Sequence, residues 1–457
     1  MSAEEARVDN VWLNRTQAVQ NPAFPPTAKS LPEGARATKA LLSYVPRLSL
    51  RERQRRWDKA RKKMLMGGYD ALLFLGNDIY WGMGMANFRY MLHIDTQLGA
   101  IGVFPLSGEP VIWHAPAHMN RPTSMYHSIQ EWVSDIRGSA SWAAICDELH
   151  LRGLDRSRIG LVGFSSTIQT TPTLLYEDVL SLQKALPNAT FSDASWLIQE
   201  MRLVKSAEEI EMLRCAGKIA RKVIDAMVET ARPGATEAEV YAEMIKTQIA
   251  NGGEPNIFNL LASGPIEHPP LELWHLLHGC EQPLVPTIRP LNEGDIIVSE
   301  WHTKYGGYRC HTEYTVYVGS KPPQELLDIW AVSVECLQAS KEALVAGRTI
   351  GDAVAMIRKP AERAGLDFVE LGFHAMGLAS PEFPTVIYRE GYGANTLNGH
   401  GIGDLVLEEG MAFGNNIDLH NSNWKPDVGC MLSDFMVVRP GQAECLVGTP
   451  TELACVG

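Results

Sequence analysis

The chain has 457 residues, 45% hydrophobic and 21% charged, enough for two domains with sizeable cores. A net charge of -12 and a pI near 5.6 argue against attraction to nucleic acid or to an anionic membrane. No apolar run reaches the roughly 18 residues of a membrane span, and MSAEEARVDNVW lacks the basic-then-apolar order of a secretory signal.

The eight cysteines form no C-x-x-C pair, which points to free thiols in a reducing cytoplasm. Residues 1–48 carry Pro25, Pro26, Pro32 and Pro46 with little periodicity and read as an irregular arm. RERQRRWDKARKKMLMGG (51–68) reads as a helix stopped by glycine. YDALLFLG (69–76) is a short bounded apolar run, hence a buried strand. LGAIGVFP and PVIWHAP flank the turn LSGE and predict a hairpin, and IGLVGF (159–164) predicts another strand. These elements make residues 49–195 an α/β domain.

Ser206 with Glu209, and Thr236 with Glu239, are capping boxes that open two successive helices. A second helix pair is expected over 323–344 and 349–365. Strand-like runs follow each pair, among them DIIVSEWHT, YRCHTEYTVYVG, LVLEEGMAFGNNIDLH and GCMLSDFMVVRPG. Helices alternating with antiparallel-looking strands predict an α+β domain over 196–457. The matching layout of the two helix pairs suggests an internal duplication.

Six segments, in order, resemble the methionine aminopeptidase, prolidase and creatinase superfamily, which has the pita-bread fold. They are RLVKSAEEIEMLRCAGKIA, LLASGP, GDIIVSEWHTKYGGYRCHTEYTVYVG, FHAMGLASPEFP, LEEGMAFGNNIDL and GCMLSDFMVV. The resemblance implies a pita-bread catalytic domain behind a smaller creatinase-like N-terminal domain, in a homodimer.

Peptidases of that superfamily hold two divalent cations on Asp, Asp, His, Glu and Glu. Matched position by position, this chain has Glu300, His311, His374, Asn416 and Ser433 there. Losing two carboxylates to an amide and a hydroxyl removes anionic charge that would hold two dications together. The expectation is therefore a non-peptidase with no metal cofactor. The alternative is a single divalent ion on Glu300, His311 and His374. Two residues after His311 stands Glu313, where the metal-free creatinase also carries Glu to hold a cationic substrate group. The pita-bread dimethylsulfoniopropionate lyase shares LLASGP but has an acidic base where this chain has Ser380.

E-W-H-T and C-H-T-E put Glu300 with His302, and His311 with Glu313, on single faces of two strands. If those strands pair, two carboxylates and two imidazoles converge into an acid–base set. The expected catalytic residues are Glu300, His311, Glu313, His374 and a histidine of the loop IEHPPLELWHLLHG. His275 is preferred there over His268 and His278. His302, Arg89, Glu382, His400, Asn416 and His268 are expected to contact substrate. Arg89 lies in WGMGMANFRYM, whose aromatic and methionine side chains would suit either an apolar pocket wall or a core. Cys310 is a nucleophile or a core thiol. The leading expectation is a lyase that cleaves a C–C or C–S bond of a small molecule. A creatinase-like C–N hydrolase and an inactive binding scaffold are the alternatives.

Overall fold

A computed structural model describes residues 45–76, 83–94, 99–114, 131–138, 141–163, 176–255, 259–265, 286–387, 396–397 and 400–457. Most of the expected arm, and His268, His275 and His278, lie outside these residues. The chain divides into two compact units, with the break between Met201 and Arg202. No helix among the described residues is long and apolar enough to cross a membrane.

The N-terminal unit opens with α1 (Leu50–Gly67), capped where the Ser49 hydroxyl accepts from the Glu52 amide and stopped by Gly68 at φ 70°. Its sheet contains β1 (Ala71–Gly76), β2 (Ala100–Pro105), β3 (Val111–His114), β4 (Asp135–Gly138), β5 (Arg158–Val162) and β6 (Thr190–Asp193), in the order β4-β3-β2-β1-β5-β6. The expected hairpin is β2–β3, and β5 and β6 add to β1 in parallel. Helices α2 (Met83–Leu92), α3 (Trp142–Leu151), α4 (Tyr176–Ala185) and α5 (Ser195–Arg202) complete the α/β layering. Leu73, Val103, Trp113, Ile145, Leu149 and Leu161 share one core. Met85, Phe88, Tyr90 and Met91 of α2 are buried as well, so within the chain this aromatic and methionine-rich segment packs as core. Arg89, in the last turn of α2, is half-buried.

The C-terminal unit is α+β. Helices α6 (Ala207–Thr230) and α7 (Glu237–Ala250) both begin at the expected capping boxes, with reciprocal hydrogen bonds present in each. They precede β7 (Asn259–Pro265), β8 (Asp295–Tyr305) and β9 (Tyr308–Val318). The second pair, α8 (Gln324–Ala343) and α9 (Ile350–Ala364), precedes β10 (Asp367–Ala375), β11 (Glu382–Val386) and the short pair β12 (Thr396–Leu397) and β13 (His400–Gly401). The remaining strands are β14 (Ala412–Asn421), β15 (Lys425–Met431), β16 (Phe435–Val437), β17 (Glu444–Cys445) and β18 (Ala454–Val456). One sheet runs β18-β9-β8-β7 and the other β11-β10-β14-β16-β17, with β15 on β14. Each helix pair packs on its own sheet, and β9 packs against β14, β15 and β16, so the two halves meet along β9.

Candidate active site

The site begins with a tight hairpin. Tyr305 pairs with Tyr308 across Gly306 and Gly307, whose φ angles of 58° and 82° are the left-handed pair that a two-residue turn requires. That turn fixes the register, so Glu300 lies opposite Glu313 and His302 opposite His311. All four side chains then fall on one face of the hairpin.

Their polar atoms meet. His311 Nε2 is 3.3 Å from Glu300 Oε1 and 3.5 Å from Glu313 Oε1, and His302 Nε2 is 3.4 Å from Glu300 Oε1. His374, from β10 of the other sheet, stacks at a tilt beside His311 with ring centroids 5.3 Å apart. The rings of His302 and His311 are 5.2 Å apart, edge to face. Gly414 permits this approach. A Cβ there would lie 2.7 Å from His311 Nδ1 and 2.9 Å from His311 Cβ, so only glycine lets β14 come so close to β9.

The members differ in exposure. The Glu300 side chain retains 13% of its surface, whereas those of His302, His311 and Glu313 retain 2% or less. Glu300 is therefore the edge of the cluster that water reaches. Burial lowers His302 to about 4, only partly countered by Glu300. Burial also lowers His374 to about 3, with His311 and His302 adding to the shift. Burial pushes Glu300 upward, but hydrogen bonds from His302 and His311 outweigh it, so the carboxyl is held below its ordinary value. At neutral pH the centre holds neutral His302 and His374 beside an ionised Glu300.

Behind these groups lie carboxylates that the sequence reading did not single out. Glu370 on β10 and Asp418 on β14 join Glu313, with one oxygen of each within 4.8 Å of the others. Asn416 Nδ2 donates to Glu313 Oε1 at 2.9 Å and to Glu370 Oε2 at 2.7 Å. Burial raises both Glu313 and Asp418 well above the usual carboxylate range, and their like-charged neighbours add to the rise. Strand alternation carried the signal for both residues. Asp418 is two positions after Asn416, and Glu370 four before His374.

At two of the positions that the superfamily resemblance assigns to metal ligands, the side chains are hydrogen-bonded within the protein. Asn416 is engaged through its amide donor with two carboxylates. The Ser433 hydroxyl accepts the Glu313 backbone N–H at 2.5 Å, and the Ser433 N–H donates to the Glu313 carbonyl at 3.2 Å. Two of the five positions are thus occupied with internal bonds that join β9 to its neighbours.

Glu382 is placed differently from the expectation that it meets substrate. Its carboxylate is buried between Arg202 and Lys205, at 2.5 Å and 3.2 Å, and accepts the Ala379 N–H. These cations hold it down at about 2 against the upward push of burial. Cys310 alternates with His311 along β9 and is fully buried, and burial raises its thiol well above the ordinary value, so it serves as core. His400 is placed by its backbone in β13, and its side chain lies outside the described residues.

Similar proteins exist at two levels. An uncharacterized hydrolase/peptidase, y4tM, of Sinorhizobium fredii is 29% identical over 280 residues, 60% of this chain and 65% of that protein. A probable dipeptidase, PepE, of Mycobacterium bovis is 28% identical over 58% of this chain and 63% of its own length. The chain thus spans slightly under two thirds of either relative. An ectoine hydrolase of Halomonas elongata is 24% identical over 428 residues, 86% of this chain and 95% of that protein. The crystal structure of dipeptidase PepE from Mycobacterium ulcerans superposes with a TM-score of 0.68 at 22% identity, over 90% of this chain and 99% of that one. An Xaa-Pro dipeptidase from Bacillus anthracis gives 0.67 at 19%, over 88% and 100%. At these identities the structures establish the pita-bread fold with its preceding N-terminal domain. Residues 211–440, half of the chain, match the metallopeptidase family M24, and the chain belongs to that family.

Proposed function

We propose that the chain is a hydrolase of a non-peptide C–N bond in a small molecule, working by acid–base chemistry on His311 with Glu300. The lyase expectation gives way here. The relatives with a named activity are hydrolases and dipeptidases, and ectoine hydrolase aligns over nearly its whole length.

The observation that carries the reading is the setting of His311. Its Nε2 faces Glu300 Oε1 at 3.3 Å and Glu313 Oε1 at 3.5 Å. A proton taken there from water would be stabilised by the ionised Glu300 carboxylate, and the same imidazolium can return it to a leaving nitrogen. Glu300, the most exposed member, orients the water and the ring. His302 and His374, neutral at working pH, flank His311 without adding positive charge. Engagement of Asn416 and Ser433 argues against the two-cation hydrolysis typical of the family's peptidases.

The test is direct. Purified protein is offered ectoine and a set of small cyclic and acyclic amides and amidines, beside Xaa-Pro dipeptides. Addition of water is followed by mass spectrometry. Turnover of a non-peptide substrate is expected, with kcat falling about 10²–10⁴-fold in His311→Asn. Efficient Xaa-Pro cleavage, or full activity in His311→Asn, would sink the reading.

A further inference from the structure

We infer that Arg47, Arg53 and His93, in the N-terminal unit, form a binding site for one small oxyanion, a carboxylate or a phosphate. Trp132 gathers the three. The His93 ring stacks on it with centroids 4.6 Å apart and planes 17° from parallel. Arg53 Nη1 donates to the Trp132 carbonyl at 3.3 Å. Trp132 Nε1 donates to the carbonyl of Leu48, the residue after Arg47, at 3.3 Å. The Leu48 N–H in turn donates to His93 Nε2 at 3.4 Å. Arg56 adds a third guanidinium, 5.3 Å from the centroid of the Trp132 ring.

The donors of this cluster lack acceptors. Because His93 Nε2 accepts from Leu48, the neutral ring carries its proton on Nδ1. That Nδ1, Arg47 Nη1 and Arg53 Nε are each enclosed, and none has a hydrogen-bond partner among the described residues. Buried donors are almost always satisfied, so three orphans around one tryptophan call for a shared acceptor. The Glu52 carboxylate, on the same helix as Arg53, is already taken up by Arg55 and Arg56. Burial lowers His93 to about 3, and Arg89, Arg56 and Arg47 add to the shift, so the ring is a neutral donor within a positive field. An anion compensates that field and accepts from all three groups. Guanidinium N–H groups match the oxygens of a carboxylate or a phosphate, which sets the ligand class. His93 is also the one described residue other than glycine with a positive φ, 56°, a sparsely populated conformation of the kind found at ligand clamps.

The full-length chain, dialysed into chloride buffer, is titrated with inorganic phosphate and separately with acetate. Ionic strength is held constant, so that general screening moves nothing. Calorimetry counts the sites and thermal unfolding reads the stabilisation. One equivalent of at least one anion should bind and raise Tm, and the two arms tell a phosphate site from a carboxylate site. Arg47→Gln and His93→Asn should each weaken binding at least about tenfold and remove the Tm rise. Arg47 Nη1 has no bond to lose, and Asn tolerates a positive φ, so both variants should keep a cooperative unfolding transition in chloride. Arg156→Gln, at an arginine of the same unit that is 80% exposed, should bind as the parent does. The inference is overturned if neither anion binds the parent, as when a carboxylate of the chain itself holds the three donors. It is equally overturned if either folded variant binds as tightly as the parent, or if Arg156→Gln weakens binding as much as they do. The site lies within the N-terminal unit, and the hydrolase reading, judged by turnover, is untouched by its failure.

Discussion

Replacing Glu382 by Gln separates a substrate contact from a structural ion. The carboxylate is 5% exposed and paired with Arg202 and Lys205, themselves 9% and 1% exposed. Its pKa falls from 4.5 to about 2, which corresponds to roughly 3 kcal/mol. Removing one partner of a buried ion pair costs about 3–5 kcal/mol by an independent route, because the remaining cations are left uncompensated. The two figures agree, so Glu382→Gln should lose about 3 kcal/mol of stability near neutral pH.

The sign follows from the depressed folded value. Protection is complete above the unfolded pKa of 4.5 and is lost as pH falls toward about 2. Urea unfolding of parent and variant at a series of pH values is the assay. The gap between them should be widest at neutral pH and narrow across that acid window. A gap below about 1 kcal/mol at neutral pH, together with a raised KM, would refute the argument and return Glu382 to the substrate.

Gly414→Ala should force His311 or β14 aside, since the new methyl lies within 3 Å of two His311 atoms. The expected cost is about 1–3 kcal/mol in unfolding free energy and a loss of roughly 10² in kcat. Unchanged kcat would mean that His311 does not need its position. His302 folds neutral, so the folded state gains nothing from protonation until about pH 4, and stability should decline as pH falls from 6.5 toward it. Urea unfolding between pH 6.5 and 4 is the check, and stability that stays level across that window would mean that His302 is already protonated in the folded state.

Much of this was legible because it is local. Both capping boxes, the glycine stop at Gly68 and the register of Glu300 and His302 against Glu313 and His311 follow from short-range spacing and one glycine turn. What escaped depends on contacts between distant strands. Nothing near Glu382 in sequence announces Arg202 or Lys205 as its partners. Glu370 and Asp418 join Glu313 only after β10 and β14 have docked on β9. The segment around Arg89 shows the same limit in reverse. Its aromatic and methionine residues suit a pocket and a core equally by composition, and packing within the N-terminal unit buries them.

The Gly306–Gly307 hairpin also bears on the order of folding. Glu300, His302, His311 and Glu313 all belong to its two strands, and a loop that short closes at little entropic cost. Pairing can therefore assemble the four groups while water still screens them. Glu370, Asp418 and Gly414 arrive later, with the second sheet, and their arrival strips that water away. The electrostatic penalty of building the site thus falls on the docking of β10 and β14 against β9, not on the pairing of the hairpin.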